Sequence, residues 1–269
     1  MIPIKAIRNL IVDMDGVLWH GDKPLPGMLT FFQTVRHLGI RFVLATNNAG
    51  RTGDEYVAKL AKLGAQVQLD EILTSPQATA IYLAAHAPQA RIYVVGSPSL
   101  AAELRAKRLL VVAEEDAPTA NCVVMGGIVG HITYAKMAEA CLLIRGGAQF
   151  IGTNPDVTFP GERGVIPGNG AFLEALRLST DVAPTIIGKP QPEMMLQAMQ
   201  RMGGNVTNTA VIGDRLDTDI LGGKNAGLTS LVVLSGIATA EQIKTDAIQA
   251  DYVFANIGEI AEALQEAPL

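Results

Sequence analysis

Several things are scarce in this chain. Its 269 residues include two cysteines, one tryptophan and 5% aromatic residues. Cys122 and Cys141 allow one disulfide at most, which excludes a small scaffold built on cross-links. No apolar run approaches the ~18 residues that mark a membrane-spanning helix, so none is expected. Positive charge is also in deficit: 21 Lys and Arg face 26 Asp and Glu, a net charge of −5. Such a chain carries no global basic field for nucleic acid polymers or an anionic membrane surface. The opening MIPIKAIRNLIVD lacks the basic stretch, long apolar region and small-residue cleavage site of a signal peptide, and a reducing cytoplasm is the expected compartment.

Apolar residues, in contrast, are plentiful. Hydrophobic residues make up 49% and charged residues 17%, which excludes a disordered chain. At about 150 residues per domain, the length suits one large α/β unit or a core with a second lobe. Short Val- and Ile-rich runs (NLIVD, RFVLAT, RIYVVG, NCVVMGG, QFIGTN, PTIIGK, TAVIGD, SLVVLS and DYVFA) alternate with helical or looped segments. Met28, Phe32, Val35 and Gly39 fall at helical spacing, with Gly39 placed to end that helix. This βαβ order predicts a parallel sheet covered on both faces. Chemically suggestive residues cluster near both ends of the chain. A core formed by 1–76 and 184–269, interrupted by an inserted lobe at 77–183, is therefore expected.

Four strand exits carry the chemistry. Asp13-Met14-Asp15-Gly16 follows LIV, and two acids at the carboxyl end of a parallel strand can bind a hard cation or divide nucleophilic and proton-transfer work. A turn is the plainer use of Asp and Gly. RFVLA ends in Thr46-Asn47-Asn48, a hydroxyl and two amides able to donate to phosphate oxygens or to cap a helix. PTIIG ends in Gly188-Lys189-Pro190, where Lys189 can offset phosphoryl charge or restrain a carboxylate. TAVIG ends in Asp214-Arg215-Leu216-Asp217-Thr218-Asp219; Asp214 is placed to ligate a cation, Asp219 to support it, and Asp217 to point elsewhere or cap a helix. Trp19 and His20 read as packing residues. Both cysteines lie in apolar segments and are expected to be buried. His37, His86 and His131 lack metal-ligand spacing, and no GxGxxG supports a dinucleotide.

Taken in order, DMDGVLWHG (13–21), ATNNAG (45–50), GKPQPEM (188–194) and GDRLDTDILGG (214–223), with TNPDVTFPGERGVIPGNGA in the middle segment, resemble the haloacid dehalogenase superfamily and within it the NagD-type (subfamily IIA) phosphatases. The resemblance extends over nearly the whole chain. It implies a Rossmann-like parallel-sheet core with a large inserted α/β cap. It also implies Asp13 as nucleophile forming an aspartyl-phosphate, Asp15 as proton donor and then base, and Thr46, Asn47, Asn48 and Lys189 around the phosphoryl oxygens. Mg²⁺ would be held by Asp13, the Asp15 carbonyl and Asp214, with Asp219 in support.

The implied activity is hydrolysis of small phosphomonoesters such as nucleoside monophosphates, sugar phosphates, pyridoxal phosphate or p-nitrophenyl phosphate. Asn154, Asp156 and the Gly168-Asn169-Gly170 turn are the suggestive leaving-group contacts, and a cap of this size is expected to exclude bulky substrates. A small phosphorylated metabolite is thus the expected partner, with a homodimer left open. Phosphotransfer to another alcohol, dehalogenation on the same fold and a non-catalytic binding role are the alternatives. Asp15 and the acidic fourth motif weigh against dehalogenation, which needs neither a proton donor two residues on nor a metal.

Overall fold

The structure is a computed structural model and describes residues 1–127, 130–161 and 163–266. The chain divides into two compact units. One comprises Met1–Thr46, Gly53–Leu73 and Lys189–Leu269, the other Asn47–Thr52 and Thr74–Gly188.

The first unit is built on a six-stranded sheet in the order Tyr252–Phe254, Thr229–Val233, Thr209–Gly213, Asn9–Val12, Arg41–Thr46, Ile72–Thr74. Asn9–Val12 runs parallel to both its neighbours. All four of its residues are buried, which is why Leu10, Ile11 and Val12 follow one another as an apolar run rather than alternating with polar residues. Leu10 and Val12 join a core cluster with Phe31, Val35, Leu44 and Ile212; full burial of each such side chain is worth about 1.5–3 kcal/mol. The helix Met28–His37 buries Met28, Phe31, Phe32 and Val35 on one stripe and stops before Gly39, which takes the left-handed conformation (φ +64°) that commonly ends helices.

From Asn9–Val12 the chain fills one side of the sheet first. It returns to fill the other side with Thr209–Gly213, Thr229–Val233 and Tyr252–Phe254. The strand order therefore reverses between Asn9–Val12 and Thr209–Gly213, and ligand sites in open α/β sheets form beyond the strand ends at such a reversal.

The second unit has its own five-stranded sheet, ordered Thr185–Ile186, Gln149–Gly152, Cys122–Gly126, Arg91–Gly96, Leu110–Val111, parallel throughout. An antiparallel hairpin pairs Thr158–Gly161 with Gly164–Pro167. Glu162, within the TNPDVTFPGERGVIPGNGA stretch, lies outside the described residues.

Three sequence expectations change. PTIIG, taken as a core strand, contributes Thr185–Ile186 to the edge of the second unit's sheet instead, because a short apolar run does not reveal which sheet it joins. The main segment of the second unit runs from Thr74 rather than 77 to Gly188 rather than 183, and Asn47–Thr52 joins it. Thr74 caps the helix Ser75–His86, its side chain and that of Gln77 each accepting from the other's main-chain N–H. Cys122 is buried, whereas Cys141 is only partly covered, and both are free thiols. Among the described residues no helix is long and apolar enough to cross a membrane.

Candidate active site

At the reversal point, the Asp13 N–H donates to the Ile212 carbonyl (2.9 Å), extending the ladder one residue past Val12. A tight turn follows: the Leu18 N–H donates to Met14 O and the Gly16 N–H to Trp19 O, each at 2.8 Å. Gly16 has φ +82°, and a Cβ there would lie 2.3 Å from Asp214 Oδ2. Glycine thus lets the two acidic strand exits approach each other. Gly213 does the same for Asp219, whose Cβ would lie 2.1 Å from a Cβ added at that position.

Lys189 organises the acids. Its ammonium donates to Asp13 Oδ1 (2.5 Å), Asp219 Oδ1 (2.6 Å) and the Ala45 carbonyl (3.1 Å). The second Asp219 oxygen accepts the Arg215 main-chain N–H (3.2 Å), and Asp214 Oδ2 accepts that of Ile237 (2.8 Å). Carboxylate oxygens of Asp13, Asp214 and Asp219 lie within 4.8 Å of one another. Lys189, Asp214 and Asp219 are 3% exposed or less, so this charge is poorly screened by water. Burial, and then the neighbouring Asp219 and Asp214, hold the Asp13 carboxyl well above its usual range despite the opposing pull of Lys189. Asp214 is pushed up to about 6, by burial first and Asp219 second. For Lys189, burial alone would favour the neutral amine, but Asp13 and Asp219 outweigh it and keep the ammonium charged.

Within this cluster three acids face one ammonium, and the surplus negative charge on hard oxygen donors suits a divalent cation. Asp13 and Asp214 offer carboxylate oxygens. Asp219 contributes charge, since both its oxygens are already engaged. Thr46 ends the strand beside Asn9–Val12 and is buried. Asp15 is exposed, and its Oδ1 accepts the Trp19 indole N–H at 2.7 Å. Asp217 turns away, its side chain 67% exposed and paired with Arg215 at 2.9 Å.

The amide residues have other engagements. Asn47 donates from its side chain to Asp156 Oδ1 (3.1 Å), while its carbonyl accepts from Ser75 Oγ (2.7 Å) and Asn154 Nδ2 (2.9 Å). Asn154 also accepts the Asp156 main-chain N–H (3.2 Å) and is 5% exposed. Asn48 Oδ1 accepts the Gly50 N–H (2.9 Å), an Asx turn. Asn47, Asn48, Asn154 and Asp156 all belong to the second unit, and these bonds brace its 47–52 segment. Asn169, from the 168–170 turn, donates to Asn154 O (2.8 Å) in the same network. Sequence reasoning missed the glycines that admit the acids and the Trp19–Asp15 bond. The i to i+4 spacing of that pair, with an indole donor following the acid, was the available signal.

Residues 10–109 match the family described as haloacid dehalogenase-like hydrolase, and residues 186–260 match one described as HAD-hyrolase-like. An acid sugar phosphatase of Staphylococcus saprophyticus is 34% identical over 98% of this chain and 100% of its own length. A 4-nitrophenylphosphatase from Thermotoga maritima superposes at TM-score 0.92 with 35% identity, covering 97% of this chain and 99% of that one. NagD from E. coli K-12 gives TM-score 0.87 and 30% identity over 94% and 98%. A glycerol phosphate phosphatase from Mycobacterium tuberculosis, in complex with magnesium, gives 0.88 and 35% over 99% and 79%. The chain belongs to the haloacid dehalogenase-like hydrolases, among the NagD-type (subfamily IIA) phosphoric monoester hydrolases.

Proposed function

We propose that this protein hydrolyses small phosphomonoesters, with Mg²⁺ as its cation and an aspartyl-phosphate on Asp13 as its intermediate. The observation that carries this reading is the buried Asp13–Lys189–Asp219–Asp214 cluster at the sheet's reversal point. Asp13 and Asp214 would hold the cation through carboxylate oxygens and Asp15 through its main-chain carbonyl. When bound there, the cation would screen an anionic nucleophile from an anionic substrate.

Lys189 fixes Asp13 Oδ1, which leaves Oδ2 to attack phosphorus as the ester P–O bond breaks. Asp15 gives its proton to the departing oxygen, then takes one from the water that cleaves the acyl phosphate. Thr46 receives a phosphoryl oxygen. Within the second unit, Asn154 and Asp156 hold the Asn47–Thr52 segment in shape. The acid sugar phosphatase, 4-nitrophenylphosphatase and glycerol phosphate phosphatase relatives support sugar phosphates, glycerol phosphate and p-nitrophenyl phosphate as the substrate class.

The test is phosphate release from a panel of these esters and nucleoside monophosphates, with Mg²⁺ and with chelator. Release is expected only with the metal and not from Asp13→Asn. Full activity in chelator removes the metal from the mechanism, and release by folded Asp13→Asn removes the nucleophile.

A further inference from the structure

Trp19 is the chain's single tryptophan, and its side chain is fully buried. A buried indole N–H needs an acceptor. Here it takes the carboxylate of an exposed acid, Asp15 Oδ1, at 2.7 Å. The ring is held independently of that bond. Tyr56 stacks against it with centroids 6.4 Å apart and planes 18° from parallel. The Lys59 ammonium sits 4.2 Å from the ring centroid and donates to the Gly21 carbonyl at 2.7 Å. The turn bond from the Gly16 N–H to Trp19 O fixes the backbone between the two residues.

We propose that Trp19 is a positioning residue for Asp15, its fixed indole N–H holding Oδ1 and so keeping the carboxyl in one rotamer. This rests on the acid–base assignment of Asp15 made above. An indole N–H only donates. An exposed aspartate without such a partner samples several rotamers. Lys59 and Tyr56 act through the ring, fixing the direction of the N–H.

The experiment compares kcat/KM for glycerol phosphate and p-nitrophenyl phosphate, in Mg²⁺, for wild type, Trp19→Phe, Asp15→Asn and the double variant. Nitrophenolate leaves as a stable anion, whereas an alkoxide needs the proton. General acid catalysis is worth about 10²–10⁴-fold, so Trp19→Phe should cost about tenfold or more on glycerol phosphate and under about threefold on p-nitrophenyl phosphate. Asp15→Asn should show the same discrimination more strongly, and adding Trp19→Phe to it should leave the substrate ratio unchanged.

Equal losses on both substrates would make Trp19 a packing residue and overturn the proposal, as would a further change of ratio in the double variant. If Asp15→Asn itself does not discriminate between leaving groups, the acid–base assignment falls and this proposal with it. Should Trp19→Phe fail to fold, Lys59→Met keeps the indole in place. It should shift the ratio in the same direction by less, and an unchanged ratio overturns the role given to the held ring.

Discussion

Asp214→Asn should make the metal-free protein more stable while it disables the enzyme. The Asp214 side chain is surrounded closely enough that its carboxyl is pushed up to about 6, with burial and then Asp219 as the main causes. A carboxyl raised in the folded state binds its proton more tightly there than in the unfolded chain. Its contribution to stability is therefore full below the unfolded value of 3.8 and is lost as pH rises through about 6. From 3.8 to about 6, the loss amounts to about 3 kcal/mol by pH 8 and about half of that at pH 5.

Asparagine has nearly the same shape, does not titrate in this range and can still accept the Ile237 N–H. In chelator, urea unfolding should find Asp214→Asn more stable than wild type by as much as ~3 kcal/mol at pH 8, with the advantage shrinking towards ~1.5 kcal/mol at pH 5. Saturating Mg²⁺ should reverse the order, because a cation bound only by the folded wild type adds stability that the variant cannot gain. If Asp214→Asn is the less stable protein at pH 8 in chelator, or if its advantage does not change with pH, the account of surplus buried negative charge is wrong.

Lys189→Met leaves Asp13 and Asp219 without their ammonium, and breaking a buried pair in this way costs about 3–5 kcal/mol; thermal unfolding in chelator at pH 8 should show that loss, and phosphate release should vanish. Asp217 and Asp219 should separate cleanly in turnover assays. Asp217→Asn removes an exposed pair worth ~1 kcal/mol or less and should leave activity close to wild type, whereas Asp219→Asn should lose it and weaken Mg²⁺ binding. Equal effects of the two substitutions would contradict the placement of the acidic cluster.

The central strands were legible because parallel strands buried on both faces leave an unbroken apolar run, as LIV within NLIV and AVI within TAVIG do. Acids directly after such runs stand out, and Asp13, Asp214 and Asp219 come together as their positions implied. Sheet membership was harder to read. Thr185–Ile186 is two residues long and pairs with Gln149–Gly152, a partnership set by packing between segments distant in sequence. Ile72–Thr74 is similarly too short to announce itself. Side chains with several plausible partners were hardest of all. Asn154 and Asp156 have the chemistry of ligand contacts, and sequence does not show that Asn154 Nδ2 and Asp156 Oδ1 also bond to Asn47. Trp19 looked like packing alone, because sequence does not show where an indole N–H points.

The claim that Asp13 becomes phosphorylated is open to direct measurement. Wild-type protein turning over p-nitrophenyl phosphate in Mg²⁺ is quenched rapidly in acid, digested and analysed by mass spectrometry. The account predicts one phosphoryl group on the peptide containing Asp13, removed by hydroxylamine as an acyl phosphate should be and absent from Asp13→Asn. Turnover with no acyl phosphate at any sampling time, or a phosphoryl group on another residue, would contradict it.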